Sequence, residues 1–348
     1  MTVYRLNAGL WRNLDSAPGF GPGGCGFKSF GWILPIVKLP PGPYVFSGHM
    51  ASTVVELSFV LVFVFSFAAF FERKLSASLG GKKATLMVVC VGMLPIAAIY
   101  LFTALTTPMP YILSVYNGAF FWLAALSGLF FAMGFVLFLK GLETEQVTNA
   151  ESIMPIQYVL IALFGVTFLG EAITPLQFFA GAVILFGAFM VSTRKEHPLK
   201  FNWALAPVFF AQISWAVYWM ILSFTITRFG VASEPLAVSR LFGAMFVFSF
   251  YSPVLLQAVR RKTALKRRFG IGPIAALGLA AALLDGTGNY IFSVISLLNG
   301  VAVGSLILLI SIPTVAVLAH IFYKERLSKV QLAGLALAFI GGVISAVV

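Results

Sequence analysis

Charge is what this chain has least of. Only 10% of its 348 residues are charged, whereas 60% are hydrophobic; a soluble domain carries about 25% charged residues. So thin a polar complement cannot cover a globule in water. The fold expected is therefore one immersed in a bilayer, where runs of about 20 apolar residues cross the hydrocarbon core as helices. Cysteine is scarce too. Cys25 stands in a Gly-rich stretch and Cys90 inside an apolar run, so no disulfide is expected, and no metal-ligand spacing exists. The phosphate loop GxxxxGK[ST] is missing, so direct drive by ATP is not expected. Neither H-E-x-x-H nor GxSxG occurs, and Asp285 is the one carboxylate near the middle of an apolar run. An intramembrane hydrolase would need a nucleophile and a base at that depth. The chain is accordingly read as a non-enzyme with no cofactor and no metal.

Ten apolar runs fill most of the chain. They lie at 53–71, 84–106, 116–140, 147–169, 175–193, 203–224, 236–259, 271–297, 302–323 and 328–348. The connections are short and leave no room for a soluble domain. Phenylalanine, with 36 residues, suits lipid-facing surfaces and packing between helices. Residues 1–50 differ from the rest. Gly19 to Gly26 has a loop composition, and Pro40-Pro41-Gly42-Pro43 would break any helix. No basic segment followed by an apolar core marks a secretory signal. This stretch is expected to be a poorly ordered N-terminal extension.

The net charge of +12 is not read as nucleic-acid binding, because nearly all Lys and Arg lie between the apolar runs. The loops after spans one, three, five, seven and nine hold 17 of them, whereas the even-numbered loops hold only Arg228, with Arg240 just inside span seven. Cytoplasmic loops carry such an excess, so both termini are expected to face outward. Contact with anionic lipid follows as a secondary consequence. The expected location is the plasma membrane.

A stretch between two runs, Phe168-Leu169-Gly170-Glu171-Ala172-Ile173-Thr174-Pro175-Leu176-Gln177, returns 154 residues later as Phe322-Tyr323-Lys324-Glu325-Arg326-Leu327-Ser328-Lys329-Val330-Gln331. Gly134 meets Gly288 and Gly187 meets Gly341 in the same register. The shift carries spans one to five onto six to ten. Five is odd, so the second half must be inverted relative to the first, a common plan for secondary transporters with a midplane site. The fold expected is an all-α polytopic protein of ten transmembrane helices, in two inverted five-helix repeats at 51–200 and 201–348.

Leu169-Gly170-Glu171 with Gln177, Gly181 and Gly187, echoed by Glu325, Gln331, Gly334 and Gly341, resembles the drug/metabolite transporter superfamily in its ten-helix, EamA-like branch. Trp215 and Arg240 fit the second repeat of that pattern. Two features depart from it: span one lacks the Trp-Gly pair often seen there, and the second copy reads Lys324-Glu325 where Gly-Glu is usual. The resemblance covers about residues 50–348. It implies a permease for a small metabolite, amino-acid-like solute or drug-like compound, with a site formed by spans one, three, four, six, eight and nine. It also implies that Glu171 and Glu325 close tight helix–helix turns, with Gln177 and Gln331 in the same structural role, and do not touch substrate. Each glutamate is expected to cap the following helix of its own half.

Polar groups inside a span are costly and by default face the bundle interior or a wet cavity. Asp285, Asn289, Ser293 and Ser296 share one face of span eight. They read either as a cavity wall, with Asp285 as cation contact or proton carrier, or as an interhelical hydrogen-bond stripe. Gln212, Trp215 and Tyr218 in span six suit an amphipathic solute or a cation; the alternative is packing. Gln157 and Tyr158 follow Pro155 in span four, and Pro313 in span nine lies at a similar depth. Such prolines free carbonyls and can hinge or merely kink a helix. Glu151 stands near a helix start, as a gate or as a solvated end, and Arg240 could pair with a carboxylate, bind an anionic substrate or snorkel to the interface. The reading that results is a secondary active transporter working by alternating access, with the proton as candidate coupling ion. Its partners would be a small-molecule substrate and membrane lipid; the oligomeric state is left open. The alternative is a non-transporting membrane enzyme or binding scaffold on the same fold.

Overall fold

Apolar runs without internal polar punctuation satisfy their backbone groups within themselves, and they do so here as helices. The computed structural model describes residues 48–106, 118–142, 153–192, 206–260, 271–323 and 328–347. Among them are eleven helices and no strand. They are α1 (Gly48–Leu79), α2 (Gly81–Thr106), α3 (Gly118–Gly141), α4 (Pro155–Phe168), α5 (Pro175–Ser192), α6 (Ala206–Phe229), α7 (Ser233–Arg260), α8 (Ile271–Asn299), α9 (Val301–Leu308), α10 (Ser311–Tyr323) and α11 (Lys329–Val347). All lie within one compact unit. Six helical stretches among the described residues are long and apolar enough to cross a membrane, counting α9 and α10 as one. Large apolar side chains cover the outside, Phe102, Phe178, Phe250 and Trp122 among them, as lipid contact requires. The expected N-terminal extension lies outside the described residues, save its last three.

Two span boundaries differ from the expectation. Span one was read as ending at 71, but α1 continues to Leu79. Glu72, Arg73 and Lys74 stop the apolar run without stopping the helix, since nothing in them breaks helical geometry. Span nine is two helices. α9 ends at Leu308, a turn occupies Leu309 and Ile310, and α10 starts at Ser311 with Pro313 in its first turn. Pro313 has no N–H to continue the ladder. α4 likewise begins at Pro155, just after a turn at Ile153 and Met154. Pro155, where α4 starts, is equivalent in the 154-residue register to Leu309, where the turn of span nine begins.

The principal packing joins one half to the other. The extensive interfaces are α5 with α11, α3 with α6, α1 with α8, α3 with α7, α2 with α8, α2 with α7, α4 with α9, α1 with α10 and α4 with α6. Exchanging equivalent helices turns this set into itself. Gly141 meets Val208 and Gly134 meets Trp215, so α3 and α6 run antiparallel. Across the α5–α11 crossing, a Cβ on Gly187 would lie 2.6 Å from the Ala338 nitrogen, and one on Gly341 would lie 2.9 Å from the Ala180 carbonyl oxygen. Residue numbers rise along α5 as they fall along α11, so these two helices are antiparallel. The absent Cβ atoms let their backbones touch, as small residues do in membrane bundles.

Candidate functional site

Helices α1, α3, α4, α6, α8 and α9 enclose a cavity of about 70 Å³. Pockets for drug-sized ligands run to roughly 300–1,000 Å³; this one has room for a few waters or a short solute. Its wall comes from both halves. α1 contributes Phe65, Ala68, Ala69 and Glu72, whose helical spacing puts them on one face. Phe131, Phe135 and Phe138 come from α3, and Trp215, Tyr218 and Trp219 from α6. Phe135 and Phe138 pack on Trp215 at 5.1 and 5.0 Å between ring centroids.

At one point of the wall lies a buried polar network. Arg240 on α7 donates from Nη1 to Asp285 Oδ2 at 2.9 Å, and its side chain is 0% exposed. The Arg240 guanidinium carbon also sits 3.6 Å from the centre of the Phe131 ring. Asn289 donates from Nδ2 to Asp285 Oδ1 at 2.9 Å, and the Tyr218 hydroxyl donates to Asn289 Oδ1 at 3.3 Å. A charge so deep is tolerated only when paired and hydrogen-bonded, and each of these groups supplies part of that. Beside it, Gly286 lets α8 pack closely on α2, because a Cβ there would strike the Gly92 carbonyl.

Asp285, Asn289, Trp215, Tyr218, Gln157 and Tyr158 all line the cavity. Gln212 does not. It is fully buried, and neither of its amide atoms has a hydrogen-bond partner. Ser293 and Ser296 donate to carbonyls of their own helix, Asn289 and Phe292, which leaves them out of the wall. Of the roles open to Arg240, the structure shows pairing with a carboxylate: its partner is Asp285. Glu151 and Glu325 lie outside the described residues.

The expectation for Glu171 needs correction. Its carboxylate accepts from the backbone N–H groups of Val301 at 2.9 Å and Ala302 at 2.7 Å. It therefore caps α9, in the other half, and not α5 which follows it. The chain enters α9 through Gly300 at φ +85°, a left-handed conformation that glycine adopts without strain. The open N–H groups of that helix start face Glu171, and the helix dipole favours the negative charge there. Burial pushes the Glu171 carboxyl above its ordinary pKa, while the two N–H partners pull it back. The following helix is capped by a reciprocal pair instead. The Thr174 N–H donates to Gln177 Oε1 at 2.9 Å, and the Gln177 N–H donates to Thr174 Oγ1 at 3.1 Å. Ser328 and Gln331 repeat the pair at 2.8 and 3.2 Å, a capping box in each half.

Glu72 escaped the sequence reading because it sits one residue beyond the apolar run. The available signal was its spacing of seven, four and three from Phe65, Ala68 and Ala69. In the structure it is buried and part of the cavity wall.

A multi-pass, all-helical membrane protein with an internal cavity shared between its halves is the class these features define. Residues 49–193 match the EamA-like transporter family. The match lies within the first half of the chain and is consistent with the drug/metabolite transporter superfamily. No curated protein matches the chain. Among solved structures 28 chains match. One, described only as the crystal structure of a protein, has a TM-score of 0.60 at 18% identity, over 84% of this chain and 96% of that one. At that identity the likeness shows the fold alone.

Proposed function

We propose that the chain is a secondary permease that moves a small solute across the membrane by alternating access, its two halves forming inverted five-helix repeats. The observation that carries this reading is the cavity itself. It is enclosed by helices of both halves and lined by residues from six of them, so motion of one half against the other would open it. The self-matching set of helix pairings and the antiparallel run of the equivalent helices α5 and α11 support the inversion. The turn at Leu309–Ile310 between α9 and α10 gives the second half a place to bend, as discontinuous helices do in transporters. Asp285, Asn289, Trp215, Tyr218, Gln157 and Tyr158 form the substrate site in this reading.

Coupling to protons through Asp285, with Glu151 or Arg240 as gate, belongs to the same proposal, as do the plasma-membrane location and outward-facing termini. The buried ion pair argues for Asp285 as the fixed partner of Arg240 more than as a freely titrating group. Purified protein in proteoliposomes is the test. Uptake of members of an amino-acid, amine and metabolite panel is expected, and lack of flux for every member would remove the permease reading. A reporter fused after Val348 should read non-cytoplasmic; a cytoplasmic signal would reverse the orientation.

A further inference from the structure

The cavity and the Glu171 contact lie at opposite ends of α4. The lining takes the last part of the apolar runs of α1 and α3, as far as Glu72 and Phe138, and the start of α4 at Gln157 and Tyr158. The Ser76 hydroxyl donates to the Leu139 carbonyl at 3.1 Å and ties those ends of α1 and α3 together. From there α4 leads away to Glu171; Tyr158 and Phe168 are about 15 Å apart along the helix axis. α9 leads back. Its start is held by Glu171, and its last residue, Leu308, lines the cavity. The source of that hold matters. A helix start is ordinarily capped by a residue just before it, and α5 and α11 are capped so by Thr174 and Ser328. α9 has no side-chain cap of its own, because Gly300 precedes it; its first two N–H groups go to a carboxylate in the other half. A local cap moves with its helix, whereas a cap from the other half is lost when the halves part. Two glycines make the seat. A Cβ on Gly165 would lie 2.7 Å from Glu171 Oε2, and one on Gly300 would lie 2.6 Å from the carboxyl carbon. Past the clasp the way to the cavity is filled, for Ala302, Ser305 and Leu306 are all buried.

We propose that the Glu171 clasp is the gate of the cavity at the end where α9 starts. In this conformation it holds the end of α4 against the start of α9 and keeps that end shut. A solute leaves or enters there only after the carboxylate has left the N–H groups of Val301 and Ala302 and α9 has moved off α4. Glu171 meets no solute in the cavity, since no residue of the clasp lines it; it is a positioning residue that acts through α9. The inference rests on the alternating-access reading for why that end should open, but the opening is measurable without flux.

The experiment is the rate at which N-ethylmaleimide labels a single buried thiol in the purified full chain, with Cys25 and Cys90 replaced by Ser. Ser305→Cys reports on the gate, one turn past Ala302 on the way to Leu308, and Thr85→Cys at the start of α2 is the control at the other end. Both positions are buried, and both hydroxyls donate to carbonyls of their own helix. Glu171→Ala should raise labelling of Ser305→Cys about fivefold, the ratio that loss of a helix cap corresponds to, and leave Thr85→Cys unchanged. Gly165→Ala should raise it as well, because the flexible Glu171 side chain is what gives way to the new methyl group. On helix propensity alone this change would stabilise α4, so a rise is specific to the clasp, and it decides the matter if Glu171→Ala fails to fold. No rise at Ser305→Cys would overturn the proposal. So would an equal rise at Thr85→Cys, which would make Glu171 a cap whose loss loosens the whole fold. A rise confined to Ser305→Cys, with no flux of any solute in proteoliposomes, would leave the gate standing and remove the permease reading instead.

Discussion

In the first half, α3 turns Phe131, Phe135 and Phe138 to the cavity; 154 residues later, α8 brings Asp285, Asn289 and Phe292 to the equivalent positions. Asp285 and Asn289 line the cavity, while Phe292 stands edge-on to Trp219 at 4.3 Å. The backbone plan is shared and the chemistry is opposite. One guanidinium joins the two. Arg240 contacts the position once as a carboxylate at 2.9 Å and once as a ring face at 3.6 Å. Carboxylates at both positions would leave this buried cluster with a net negative charge, and rings at both would leave Arg240 without an anion. At this register one wall is polar and the other aromatic, and a single guanidinium serves both.

The sharpest way to break that comparison is to strand one charge. Asp285→Leu or Arg240→Leu leaves its partner buried and unpaired, at a cost of about 3–5 kcal/mol. Replacing both by Leu should recover most of the loss, as buried ion pairs exchanged for apolar residues often do. Unfolding of the purified variants in detergent measures this, and a double variant no better than the singles would show that the two residues do not act as a unit.

A second test sharpens the symmetry. Gly187→Val and Gly341→Val place equivalent side chains against equivalent backbone at the α5–α11 crossing. Each should cost about 1–3 kcal/mol by overpacking, and the two should be of similar size. A large loss from one and none from the other would mean that the crossing is not two-fold.

The aromatic side of the Arg240 contact should matter less than the charged side. Phe131→Leu removes the ring under the guanidinium and should cost about 1–2 kcal/mol, with the Asp285 pair retained. Thermal unfolding of this variant beside Asp285→Leu ranks the two contacts; an equal loss would deny the ring its secondary place.

Much of this site was legible in the sequence because polar residues are rare within the runs, and rarity forces them inward. Asp285, Asn289, Trp215, Tyr218, Gln157 and Tyr158 stood out for that reason alone. Arg240 was visible too, but not its partner: the pairing joins α7 to α8 across 45 residues, and no periodicity within either helix encodes it. Glu72 was lost because hydropathy marks where a run ends and not where a helix ends. The break in span nine was only half visible, since Pro313 marks a weak point whereas the turn falls three residues earlier. The partner of Glu171 was hidden for a different reason. Local spacing proposes local caps, and Thr174 with Gln177 does fill that role, which left the glutamate free to reach the other half.

Glu171 offers the smallest effect and the most specific contrast with Asp285. Both are partly or wholly buried carboxylates in contact with the opposite face of a helix interface, but one is held by a cation and the other by backbone N–H groups. Burial outweighs those N–H bonds and leaves the Glu171 pKa raised. An acid with a folded pKa above its unfolded value, ordinarily about 4.3, contributes stability that is fully present below that value and is lost as pH rises through the folded one. Glu171→Gln keeps one of the two acceptors and should cost less than truncation. Glu171→Ala leaves the N–H groups of Val301 and Ala302 open and should cost about 1 kcal/mol, as loss of a helix cap does. Measured from about pH 4 upward, wild type should lose stability relative to Glu171→Gln. The opposite slope would mean that the ionised carboxylate is favoured in the fold and that the start of α9 is held by charge after all.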